Sequence, residues 1–122
     1  MTNDIETRLH YIIIALMRHP DCVGFLRPVD EVSHDVPGYR EIVKNPMDFQ
    51  TICKRLIDGW YFGEQQGDND ESTRGQGARG VVEDILLIYT NCRLYNGSDS
   101  SIYRYSLKMM TLTVDLVRQW VS

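Results

Sequence analysis

Residues 19–47 read HPDCVGFLRPVDEVSHDVPGYREIVKNPM, and how this stretch is understood decides the fold. All four prolines of the chain, Pro20, Pro28, Pro37 and Pro46, fall inside it. Proline has no amide hydrogen to donate and blocks helix interiors, so the stretch is predicted to be one long loop without regular structure. Unlike a linker, it also carries Val23, Phe25, Leu26, Val29, Val32, Val36, Tyr39, Ile42, Val43 and Met47. Those side chains must pack against something. An ordered loop of this length inside a compact domain is uncommon and usually functional, so a site is sought where it meets the rest of the chain.

The segments on either side have helical spacing. Ile5, Leu9, Ile12 and Leu16 recur at three and four residues, predicting a first helix over 4–18, with Asn3 and Glu6 placed like a capping box. A second helix, over 48–58, starts at Asp48 just after Pro46 and carries Ile52, Leu56 and Ile57 towards Gly59. Val81, Ile85, Ile88, Cys92 and Tyr95 mark a third over 81–95, ending at Asn96-Gly97, a pair suited to left-handed backbone. A fourth, over 99–121, places Ile102, Tyr105, Met109, Leu112, Leu116 and Trp120 on one face. No segment alternates with period two. The expected architecture is an all-α four-helix bundle, one domain over 1–122, with the long packed loop between its first two helices.

Five glycines fall between 63 and 80, among Gln65, Gln66, Asp68, Asn69, Asp70, Glu71, Ser72 and Thr73. With little to bury, this stretch is predicted to be a mobile, solvated insertion whose removal (64–78) is tolerated. Its glycine spacing fits neither phosphate-binding pattern, and no strand precedes it.

Composition narrows the function. The chain has 122 residues, 43% hydrophobic and 25% charged, ordinary for one globular domain that buries roughly two-thirds of its unfolded surface. The longest apolar run, Tyr11 to Met17, is too short to span a bilayer, and no signal peptide is apparent, so membrane and secretory readings are set aside. The net charge is −4, from 13 Lys and Arg against 17 Asp and Glu, where a nucleic-acid binder usually carries a basic excess. Cys22, Cys53 and Cys92 are an odd number without a close pair, which favours a reducing compartment over a disulfide framework. The end soon after Trp120 suggests a piece of something longer.

No catalytic set stands out. His19, Cys22, His34 and Cys53 lack zinc-site spacing, and neither a metal nor a cofactor is expected. His10 reads as a surface or half-buried histidine. Glu83 and Asp84 are adjacent, so they point to different faces of a helix and cannot act as a facing pair. Cys92 falls on the core face, where a free thiol behaves as a small hydrophobe. Asn96 is different: at the mouth of the bundle, beside the loop, its carbonyl and NH2 tolerate burial only if paired. A simple helix-ending asparagine next to Gly97 is the plainer reading, and both stay open on spacing alone.

The chain resembles a bromodomain. The resemblance is carried by Pro28-Val29, Val36-Pro37-Gly38-Tyr39, Ile42-Val43, Asn45-Pro46-Met47-Asp48-Phe49, Thr51-Ile52, Lys54-Arg55-Leu56, Asp84 and Asn91-Cys92-Arg93-Leu94-Tyr95-Asn96. These pieces agree in order and approximate spacing over nearly the whole chain except 63–80. The resemblance implies a left-handed four-helix bundle, nuclear, that reads acetyl-lysine in peptides, commonly histone tails, without catalysis and recruits other chromatin-complex subunits. It implies that Asn96 donates its side-chain NH2 to the acetyl carbonyl and that Tyr39 holds the same oxygen through a water. Val29 and Val36 then line the pocket with Phe25, Tyr95 forms a wall, Ile102 is the gatekeeper, and Pro28 and His34 belong to the loop wall. Three departures stand out: Val23-Gly24-Phe25 replaces a common Trp-Pro-Phe, His34 replaces a leucine, and Gly38 replaces an aspartate. The competing expectation is a bundle of the same type that has lost its ligand and serves as a docking surface.

Such a pocket suits a neutral lysine. An isolated cation in an apolar slot carries a large desolvation cost, and acetylation removes the charge while supplying a carbonyl that needs a donor. A neutral hydrogen bond contributes about 1 kcal/mol net, so discrimination comes mainly from the penalty against charge. Asp30, Glu31, Asp35 and Asp99 fall near the expected rim, where they either attract a basic tail or are simply solvated loop and helix-start residues.

Overall fold

The computed structural model describes residues 4–63 and 72–121, and every regular element among them is helical. Helix α1 is Asp4–Met17, α2 is a single turn at Tyr39–Ile42, α3 is Phe49–Ile57, α4 is Gly77–Tyr95 and α5 is Ser101–Trp120. The four longer helices form a bundle in which α4 packs against α1, α3 and α5. Leu9, Ile12, Ile13 and Leu16 of α1 meet Phe49, Ile52 and Leu56 of α3 and Val81, Ile85, Ile88 and Tyr89 of α4 in one continuous core. Two starts follow from local chemistry. The Asp48 carboxylate accepts the Thr51 amide at 2.9 Å to open α3, and the Ser100 hydroxyl accepts the Tyr103 amide to open α5. The Asn3 half of the expected capping box lies outside the described residues.

The stretch 19–47 is packed, but it is not free of regular structure. A 3-10 segment covers Pro20–Phe25, with Pro20 in its first turn, where a missing amide costs nothing. Its Cys22 and Phe25 are buried in the core. Gly38 sits at φ 73°, a left-handed conformation that a side chain would strain, and turns the chain into α2. Proline spacing marks the loop without revealing that short helices fit between the prolines.

Four other expectations are corrected. Asn96 and Gly97 do not adopt left-handed backbone: Asn96 closes α4 at φ −94°, ψ 145°. Tyr105 and Trp120, expected on the inner face of the last helix, are 37% and 52% exposed, while Ser106 and Thr113 are fully buried. Hydroxyls satisfied nearby make that burial tolerable: Ser106 Oγ donates to the Tyr103 carbonyl, and Thr113 Oγ1 donates to the Met109 carbonyl and shares a 3.0 Å hydrogen bond with Tyr89 Oη. Ile5 and Ile57, expected inward, lie in the end turns of their helices and are 41% and 80% exposed.

The last correction concerns the glycine-rich stretch. Residues 64–71 lie outside the described residues, but 72–80 are built into the fold rather than solvated. Thr73 Oγ1 receives hydrogen bonds from Arg55 and Trp60 and donates to Asp84 at 3.0 Å. Gly80 is buried, and a Cβ there would fall 2.6 Å from the Thr73 carbonyl oxygen. Glycine at 80 therefore marks a close approach, not slack.

Candidate functional site

A cavity of about 550 Å³ opens where residues 23–47 meet the C-terminal end of α4. Three hydrogen bonds fix the loop over it. Asn91 Nδ2, buried on α4, donates to the Asn45 carbonyl at 2.8 Å; Tyr95 Oη donates to the Pro37 carbonyl at 2.8 Å; and the Gln50 amide donates to the Leu26 carbonyl at 2.9 Å. The Tyr39 and Tyr95 rings pack with centroids 5.2 Å apart, so the short α2 is held against the end of α4. Loop and helix are thus tied together before any ligand arrives.

Seven of the nine residues named from the sequence line this cavity: Phe25, Val29, His34, Val36, Tyr39, Tyr95 and Asn96. Pro28 does not. It is exposed and borders a separate shallow depression with Asp30, Glu31 and Arg40. Ile102 is also absent from the lining; it packs against the core, with its Cδ1 close to Gly24. Pro28 thus lies outside the wall expected of it, while Ile102, at the start of α5, stands beside Gly24, which lines the cavity. Conversely, Leu26, Arg27, Met47, Ile88 and Cys92 line the cavity and were not named as site residues. Ile88 and Cys92 stand eight and four residues before Asn96 along α4, so helical spacing back from Asn96 is the signal that finds them.

The polar groups of the cavity are few and definite. Asn96 Nδ2 donates to the Cys92 carbonyl at 3.0 Å and lies 3.6 Å from Cys92 Sγ. An amide NH2 carries two hydrogens, so this bond orients the group and uses one of them. Tyr39 is buried, and that burial, followed by repulsion from Cys92, pushes its phenol above the usual value, so the hydroxyl keeps its proton. Burial likewise raises the Cys92 thiol, whose Sγ donates to the Ile102 carbonyl at 3.4 Å. His34 Nδ1 accepts the Asp30 amide at 3.0 Å, a bond that closes the loop turn beside the cavity.

Two of the rim acids are engaged in building the loop. Asp30 Oδ1 accepts the Val32 and Ser33 amides, and these hydrogen bonds hold its carboxyl below the usual range. Glu31 Oε1 accepts the Arg40 amide at 2.8 Å.

A second depression, of about 640 Å³, lies beside Arg55, Trp60, Thr73 and Asp84. There Asp84 Oδ2 accepts from Arg55, Thr73 and Tyr61, the last at 2.5 Å. Its buried polar groups answer one another, which makes it a structural knot. Among the described residues, no three of His, Cys, Asp and Glu are grouped to hold a metal ion. No described helix is long and apolar enough to cross a membrane.

Comparison with known proteins agrees with this geometry. A family model described as Bromodomain matches residues 9–108. A bromodomain-containing protein of Schizosaccharomyces pombe is 31% identical over 102 residues, covering 84% of this chain and 12% of the relative. The bromodomain adjacent to zinc finger domain protein 2A of Xenopus laevis is 35% identical over 79% of this chain and 5% of its own length. Protein cbp-1 of Caenorhabditis elegans is 34% identical over 81% and 4%. The chain thus spans a small part of each of these relatives.

Proposed function

Since the chain belongs to the bromodomain family, whose members are acetyl-lysine reader modules and generally not enzymes, we propose that its cavity binds an acetylated lysine side chain, with Asn96 as the donor to the acetyl oxygen. The observation that carries this reading is the half-buried Asn96 amide, oriented by the carbonyl and the weakly accepting thiol of Cys92 at the wall of a largely apolar cavity. Phe25, Val29 and Val36 accept the stem and methyl of the ligand, and burial of a free lysine there leaves a cation without a counter-charge. Tyr39, kept protonated, holds the same oxygen through a water. The mechanism is recognition: one fixed donor, an apolar wall and a penalty against charge.

The partners are acetylated histone tails, and the module recruits chromatin-complex subunits to them in the nucleus, acting as a reader without chemistry of its own. A single side chain buries little area, so useful affinity comes from neighbouring marks or linked domains. The test is calorimetric titration with acetylated and unmodified forms of the same histone-tail peptides, alongside Asn96→Ala. Binding of the acetylated form alone, lost by more than about tenfold in the variant with helical circular dichroism unchanged, is the expected result. Equal binding of both forms, or an unaffected variant, favours the docking-surface reading, which the lost Trp-Pro-Phe motivates.

A further inference from the structure

We infer that the mouth of the cavity reads an anionic side chain beside the acetylated lysine, a phosphoserine or a glutamate, through Arg27 with help from His34; this rests on the acetyl-lysine reading above. Among the described residues, the cavity is lined by these two basic side chains and by no aspartate or glutamate, although the chain as a whole carries a net charge of −4. Arg27 and His34 are exposed while Phe25 and Tyr39 are buried. The basic groups therefore stand at the mouth, and the aromatic ones form the floor.

The acids closest in the chain are committed elsewhere. Asp30 and Glu31 accept loop amides, and Asp21 pairs with Lys108 at 3.2 Å. Arg27 makes no hydrogen bond or ion pair with any described residue. Its root is nonetheless fixed, because the preceding carbonyl, of Leu26, accepts the Gln50 amide of α3 at 2.9 Å. His34 is held through Nδ1, which leaves Nε2 as the ring nitrogen open to a ligand. Asp30 lies beside His34 and offsets it, so the positive charge of the mouth rests on Arg27. A guanidinium presents a planar fork of donors that matches a carboxylate or phosphate, and here no protein acid fills it. Acetylation removes one positive charge from a tail, but Arg27 still repels those that remain. A neighbouring phosphoserine adds roughly two negative charges and turns that repulsion into attraction.

The test is calorimetric titration of the wild-type chain, Arg27→Gln and Arg27→Glu with one acetylated histone-tail peptide. The peptide carries serine, phosphoserine, glutamate or lysine at successive positions on either side of the acetyl-lysine. At the favoured position phosphoserine tightens binding to the wild type by about fivefold over serine and glutamate by about twofold, and both gains shrink with added salt. Arg27→Gln erases the difference between the phosphoserine and serine peptides, and Arg27→Glu turns the preference to the lysine-flanked one. Both variants keep the helical circular dichroism, since the side chain is exposed and unpaired among the described residues. A phosphoserine that changes nothing at any position, or a gain that survives Arg27→Gln, overturns the proposal and leaves the acetyl-lysine reading standing. Failure of the folded wild type to bind any acetylated peptide, or equal binding of the phosphorylated peptide without its acetyl group, overturns both.

Discussion

Asp84 and Asn96 are carried on the same helix, about 18 Å apart along its axis, and the chain treats them in opposite ways. Around Asp84 the protein brings up its own donors, from Arg55, Tyr61 and Thr73, all three converging on Oδ2. Around Asn96 it supplies only the carbonyl and the thiol of Cys92, one turn back, and leaves the side-chain carbonyl and the outer face of the amide beside a cavity. Asp84 is buried in low dielectric and must find its partners within the protein, whereas Asn96 is half-buried on the wall of an open cavity. The difference is where the partner comes from: the chain closes one position for stability and holds the other open for a ligand.

The sharpest way to break this contrast is Asp84→Ala. It strands the Arg55 guanidinium and two hydroxyls, and is expected to cost about 3 kcal/mol, lowering Tm by about 10 °C in a thermal melt. A Tm within about 2 °C of wild type would show that the knot contributes nothing. Deleting 64–78 comes next. The composition of that stretch suggests tolerance, but the deletion removes Thr73 from the knot and Gly77 and Ala78 from the start of α4, and about 2 kcal/mol is expected to be lost in urea unfolding. Full retention of stability would return the stretch to the status of a bare insertion. Asn96→Ala is expected to cost only about 1 kcal/mol, the worth of its local contacts with Cys92, while binding is abolished. A stability loss matching that of Asp84→Ala would mean that Asn96 is structural too.

Smaller effects come from the core between the two regions and from the rim. Cys22 is fully buried and its thiol is pushed up to about 12 by that burial. Above about pH 8.5 the unfolded chain loses this proton while the native state keeps it, so stability falls as pH rises, by at most about 1.4 kcal/mol per pH unit for this thiol. Urea midpoints between pH 8 and 11 measure the slope, and Cys22→Ala should flatten it; an unchanged slope would assign it to other groups. Last, if Asp35 and Asp99 steer a basic tail, peptide association weakens modestly between low and physiological salt. With Asp30 and Glu31 already hydrogen-bonded within the loop, a flat response would leave the whole rim structural.

Much of this was legible in the chain because helical periodicity and proline placement are local signals. Leu9, Ile12, Leu16, Ile52, Leu56, Val81, Ile85 and Ile88 are buried where their spacing puts them. The last helix was misread on one edge: an apolar tally favours Tyr105 and Trp120 over Ser106 and Thr113, and only the placement of acceptors such as the Met109 carbonyl explains why hydroxyls turn inward. Thr73 was hidden for a similar reason, since its partners Arg55 and Asp84 are 18 and 11 residues away.

The sequence by itself determined the helical class, the packed character of 19–47 and the placing of Asn96 beside it, because these follow from backbone chemistry and from residue types at fixed spacing; the role of Tyr39 came with the family resemblance. Tertiary structure alone decided which way Ile102 lies, that Pro28 stays outside the cavity, and that 72–80 belongs to the core's polar knot. Each of those depends on what fills space across the bundle, and a chain read in one dimension does not record which distant atoms compete for the same few ångströms.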